Sequence, residues 1–215
     1  MNENILQKIN LLGGNTEAVS HDKNFVENWQ AIRFNHYLYD KDWDVYGIDA
    51  FYEEHKDLYK NNSEKFYTDL LEHYFSEHER AYGQYFFRNW IFTPFEENTE
   101  DYNELDGLVD EDHVRKTVQG PEMEFICVLF SYGYPDHFFV CTTDPDQSNP
   151  TVYSTDHEIY FDEIENKGNL EAFLDRFMTK EEFREVVRGL SGRKIWRITD
   201  SQRLVFSPGN IIFFL

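Results

Sequence analysis

Residues 123–143 read MEFICVLFSYGYPDHFFVCTT. Two runs of aromatic and β-branched residues flank Gly133-Tyr134-Pro135-Asp136, a composition that favours two strands joined by a turn. With the turn centred on Tyr134, Cys127 and Cys141 face each other across the hairpin. They are the chain's only cysteines, too few for a disulfide framework, and are expected to be small buried thiols. The turn-forming run DPDQSNP then leads into a third strand, TVYST.

The sequence after these strands changes period. Leu170, Phe173, Leu174, Phe177 and Met178 recur at the spacing of one buried helix face, started by Gly168-Asn169. Thr179-Lys180-Glu181-Glu182 has the form of a capping box opening another helix. The tail offers two strand candidates, KIWRIT and RLVFS, and the apolar run NIIFFL.

Helical spacing dominates before residue 121. Ile5, Leu6, Ile9 and Leu12 define a short helix stopped by Gly13-Gly14. GIDAFYEEHKDLYKN predicts another, with Asp49 as N-cap. Tyr67, Leu70, Leu71, Tyr74, Ala81, Tyr82 and Tyr85 predict one long helix across residues 63–87, closed by Pro94. The pattern gives one α+β domain over 1–215, mainly helical over 1–120 and with sheet plus two helices over 121–215. The amino-terminal part is expected to be a helical elaboration of that domain. The chain's 20 Phe and 14 Tyr recur at these same spacings and are read as mostly core.

Charge sets the second boundary. The net charge is −21, with −14 over residues 1–116, −10 over 117–166, where Lys and Arg are absent, and +3 over 167–215. Residues 96–112 hold nine acids and no base, so self-repulsion makes them a loop or weak helix. Such a field repels phosphate backbones and anionic membranes, which argues against nucleic-acid binding, and it attracts a basic protein partner. The start, MNENILQKINLLGG, has neither a basic opening nor a long apolar run. A cytoplasmic protein without a signal peptide or membrane span is expected.

Catalytic patterns are weak. Adjacent Asp156, His157 and Glu158 point to alternate faces of a strand, so His157 cannot easily share an ion with both neighbours. His73 and His78 are five residues apart, about 140° around a helix, and miss the i,i+4 zincin geometry. No nucleophile elbow, phosphate loop or dinucleotide fingerprint occurs, and both cysteines sit in apolar runs that disfavour the thiolate. No catalytic residue, metal ligand or cofactor is assigned.

Residues 125–183 resemble the carboxyl-terminal core of the SUKH superfamily (SMI1/KNR4-like proteins). The resemblance rests on the strand pair, then NPTVYSTDHEIYFDEI, then NLEAFLDRF. Pro150, Val152, His157, Glu158, Phe173 and Leu174 occupy its Pro-x-Val strand, acidic or His-containing segment and amphipathic helix. It implies an α+β fold with a twisted, largely antiparallel sheet flanked by helices, and a non-enzymatic role, in many bacterial members that of an immunity protein neutralising a toxin, often a nuclease. The residues expected at a partner surface are Glu100, Asp101, Glu104, Asp106, Asp110, Asp144, Asp146, Asp156 and Glu158. The alternatives are a regulatory or scaffold module of the same fold without a toxin partner, and a metal-dependent hydrolase using His157 or His73.

Overall fold

The structure, a computed structural model, describes residues 1–42, 45–78, 83–105, 109–132, 136–156, 160–191, 206–207 and 210–211. It is an α+β fold on a six-stranded antiparallel sheet, ordered β3(Tyr85–Phe87), β5(Phe125–Ser131), β6(His137–Cys141), β7(Thr151–Asp156), β8(Tyr160–Asn169), with β4(Ile91–Phe92) also pairing β5. Among the described residues no helix is long and apolar enough to cross a membrane.

The central strands are buried on both faces because their alternation sends apolar groups both ways. Ile126, Val128, Phe138, Val140 and Val152 enter one core with Ile5, Ile9, Trp29, Leu170 and Phe173. These come from α1(Glu3–Leu11), α2(Phe25–Ala31) and α7(Leu170–Leu174). On the opposite face Phe125, Cys127, Phe139, Cys141 and Tyr153 pack with Leu105, Val114 and Phe161.

The hairpin forms as expected, but the cysteines do not face each other. Cys127 pairs with Phe139, and Cys141 with Phe125. The register starts one residue short of a turn centred on Tyr134, with Phe130 opposite His137, and a bulge between Cys127 and Leu129 removes one more. The bulge also places Val128 and Leu129 in the same core. Residues 133–135 lie outside the described residues.

α1 matches its apolar spacing, with Asn2 accepting from the Ile5 amide and Ile5 and Ile9 buried. Gly13 follows at φ +86°, where a Cβ would stand 2.3 Å from Nε2 of His36, so only glycine fits. The short β1(Gly14–Asn15) pairs with β2(Arg33–Phe34). In α3(Ile48–Asn61) the N-cap is Gly47 rather than Asp49, at φ +76°. Asp49 sits instead in the first turn, where a carboxylate meets the positive end of the helix dipole.

The expected long helix stops at α4(Ser63–Tyr74). Tyr85, Phe86 and Phe87 become β3, bonding to β5 opposite Ser131, Phe130 and Leu129; open sheet hydrogen bonds outweigh helical periodicity in an aromatic-rich run. Ala81 and Tyr82 lie outside the described residues. A lateral core of Phe51, Phe66, Leu70, Tyr74, Phe183 and Val187 joins α3 and α4 to α8(Lys180–Ser191).

β8 is a strand that the sequence pattern hides, since its apolar residues are too sparse to alternate. α7 keeps Asn169 as N-cap but ends at Leu174, four residues before Met178. The chain turns extended there because residues 39–41 offer partners: the Lys41 amide donates to Arg176 O at 2.8 Å and the Met178 amide to Tyr39 O at 2.8 Å. Phe177 and Met178 remain buried. The capping box is present, with the Thr179 amide 2.8 Å from a Glu182 carboxylate oxygen and the Glu182 amide 3.1 Å from Oγ1 of Thr179. Of the tail candidates, β9(Phe206–Ser207) pairs with β10(Asn210–Ile211); KIWRIT and the rest lie outside the described residues.

One buried ion pair spans these parts. The Asp40 side chain is 0% exposed and accepts from the Arg176 guanidinium at 2.7 Å, from the Asp42 amide at 2.9 Å and from the Tyr85 hydroxyl. Removing the cation would strand a carboxylate in the core. Arg176→Leu is expected to cost about 3 kcal/mol, read as a lower urea midpoint at unchanged slope. A loss below about 0.5 kcal/mol, the scale of an exposed pair, would show that the pair is not stabilising.

Candidate functional site

The acid-rich segment is held on the sheet by a few apolar residues. Asp101 accepts from the Thr93 amide at 2.9 Å, fastening α5(Glu100–Leu105) beside β4. Asp110 caps α6(Glu111–Val114) by accepting from the Asp112 amide. Leu105 and Val114 are buried and Val109 packs against the same core. Glu96, Glu97, Glu100, Glu104, Asp110 and Asp112 are left exposed. The segment is therefore two short helices, as self-repulsion requires, pinned by apolar anchors.

The edge strand β8, which α6 contacts, adds exposed Asp162, Glu163 and Glu165. Counter-charges are sparse: Arg115 pairs with Glu111 and Lys167 with Glu165. Among the described residues Glu96, Glu97, Glu100, Glu104, Asp112, Asp162 and Glu163 have no ion pair, so most of this charge is open to solvent.

The expected partner-facing residues separate into groups. Glu100 and Glu104 are exposed on α5. Asp101 is half-buried and Asp110 exposed, and one oxygen of each bonds backbone. Asp144 corrects the expectation: it is only 5% exposed and accepts from the Asp146 and Thr151 amides at 2.8 and 3.1 Å. It is buried and shapes the β6–β7 loop. Asp146 in that loop is exposed, and the Ser148 hydroxyl on its carboxylate holds its pKa below the ordinary range. Asp156 ends β7. Asp106, His157 and Glu158 lie outside the described residues. Asp162, Glu163 and Glu165 were not anticipated as surface candidates; their only signal was the acid count of the run that became β8.

Reactive groups are few, and both cysteines are buried. Among the described residues no three His, Cys, Asp or Glu side chains are placed to hold a metal ion. His73 packs its ring 4.7 Å from that of Phe51. Burial pushes the Cys127 and Cys141 thiols up, the latter despite bonding to Thr143. Burial lowers His36, as does Lys180, against the pull of Tyr37 O. Burial likewise lowers His137, with Arg88 adding to the effect and Asp136 opposing it.

Both cysteines should resist alkylation at pH 8 in the native protein and react only on unfolding; labelling with and without urea, read by mass spectrometry, would reveal an accessible thiolate. The histidines set a pH dependence. Each folded value lies below the unfolded 6.5, so the unfolded chain binds more protons and stability rises with pH across that window. The urea midpoint is therefore expected to fall as pH drops from 7 through 6.5 towards 5.5, and His36→Gln with His137→Gln to flatten the fall. An undiminished slope in that double variant would exclude these imidazoles as the cause.

No family model, curated protein or solved structure matches this chain.

Proposed function

We propose that this chain is a SUKH-like immunity protein that binds and neutralises a basic toxin domain without catalysis of its own. The observation that carries the reading is the outward placement of the acids on α5, α6 and β8. Leu105, Val109 and Val114 anchor the segment, while Glu96, Glu97, Glu100, Glu104, Asp112, Asp162 and Glu163 keep their charge uncompensated among the described residues. A single-sign surface of this kind accelerates encounter with an oppositely charged partner and repels phosphate backbones. The antiparallel sheet and amphipathic α7 agree with the fold that the resemblance over residues 125–183 implies. A basic nuclease domain suits this surface, because its nucleic-acid site is the part that complements acids.

The test is genetic first. Each product of the neighbouring genes is induced in cells with and without this chain. Growth rescued only when the chain is present supports the reading, and failure to rescue from any toxic neighbour counts against it. With the partner in hand, Glu100→Lys, Glu104→Lys and Asp112→Lys together should slow association roughly tenfold at low salt and flatten its salt dependence. Dissociation should change little, since exposed charges act mainly on encounter. Stopped-flow rates that match the wild type would remove these acids from the encounter surface.

A further inference from the structure

The face of the sheet that carries Cys127 and Phe139 continues past the acidic segment into a second, aromatic surface. Phe86, Phe130 and His137 stand in one row across β3, β5 and β6. Phe130 reaches this face because the bulge between Cys127 and Leu129 reverses the alternation of β5. The Phe130 and His137 rings lie 4.8 Å apart, Trp90 stands edge-on to His137 at 6.0 Å, and Tyr132 meets Phe86 at 5.5 Å. Trp90 and Tyr132 are 38% and 39% exposed, whereas most of the other aromatic side chains among the described residues are buried.

Arg88 lies among them. Its guanidinium is 5.3 Å from the Phe86 ring centre and 5.4 Å from that of Phe130, and Nη1 donates to Phe87 O at 3.3 Å. The backbone beneath is fixed: the Arg88 amide donates to Val128 O and its carbonyl accepts from Nε1 of Trp29. In a chain with 41 acids and 20 Lys and Arg, this half-buried cation has no carboxylate partner among the described residues. A cation left without a counter-ion on a ring-lined surface favours an occupant that supplies one, because covering it with apolar atoms alone would bury an unpaired charge.

Resting on the binding-protein reading above, we propose that Arg88, Trp90, Tyr132, Phe130 and His137 form the core of the interface. The occupant is a segment of the partner protein that presents an Asp or Glu carboxylate beside an apolar or aromatic side chain. Trp, Tyr and Arg are the residues that concentrate binding energy at protein interfaces, and a polar rim that excludes water is their usual surrounding. Here that rim is acidic. Phe92 joins the two regions, edge-on to Trp90 at 5.5 Å and stacked on Phe161 at 5.5 Å, and Thr93 next to it is held by Asp101. Rim acids draw in a partner of basic surroundings, and the patch selects the one whose contact segment carries an anion at its centre. A second copy of this chain is a poor occupant, since two bodies of net charge −21 repel.

The experiment uses a displayed library of random linear peptides, selected on the full chain. Enriched peptides should carry Asp or Glu next to Trp, Phe or Leu. Their affinity by fluorescence polarisation should fall roughly tenfold or more with Arg88→Glu and with Trp90→Ala. Arg88→Lys and Trp90→Phe preserve packing and should lose less, and thermal melts of all four variants separate folding from recognition. Glu100→Lys with Glu104→Lys should leave peptide affinity within about twofold, since neither residue belongs to the patch. Failure to enrich, peptides without an acid, or binding indifferent to Arg88 and Trp90 would overturn the proposal, as would a dimer in sedimentation velocity that Arg88→Glu dissolves. Undiminished toxin protection by Arg88→Glu with Trp90→Ala would also overturn it while leaving the immunity reading intact. Peptide binding that depends on the patch, in a chain that protects against no toxin, would sink the immunity reading alone.

Discussion

Burial of the β5–β6 hairpin on both faces is the constraint on which the other elements depend. A strand with apolar side chains in both directions needs two covering layers, and this chain builds them differently. One face receives α1, α2 and α7, whose apolar stripes close a core around Ile126, Phe138 and Val140. Among the described residues the other receives short helices, so Phe125, Cys127 and Phe139 pack against Leu105 and Val114, with Phe161 of β8 beside them. Because that second cover is thin and acidic, the proposed binding surface falls on this side. The asymmetry of the two covers links the fold to the proposed role.

The bulge between Cys127 and Leu129 is the smallest feature with the widest effect. It sends Val128 and Leu129 into the same core and returns Phe130 to the opposite face, beside His137 and Arg88. Together with the register set at the turn, it separates the two cysteines across the hairpin. Which rings share this face thus follows from one irregular residue pair.

Elements whose periodicity agreed with their surroundings were legible in the sequence: α1, the hairpin, TVYST and the Thr179–Glu182 capping box. Those decided by a distant partner were not. Residues 85–87 carried helical spacing but were taken by β5, and Phe177 and Met178 were drawn out of helical geometry by the backbone of residues 39–41. β8 was hidden because an acidic edge strand has little apolar alternation to read. Within the candidate surface, the charge of residues 96–112 was plain, whereas the structural duty of Asp144 was not. An Asp in a turn-rich run reads the same whether its oxygens face water or two backbone amides. The aromatic patch was wholly illegible, since membership depends on a bulge and on register across three strands.

The packing of α1 on α7 has a consequence for synthesis. Ile5 and Ile9 are buried against Leu170 and Phe173, partners encoded more than a hundred residues later. At ribosomal rates of about 5–20 residues per second, α1 waits on the order of 10–30 s before its partner has been made. During that interval the part of its apolar stripe that faces α7 lacks its native cover. The first helix of this sequence is therefore secured late, and a nascent chain would present that face to whatever chaperone meets it.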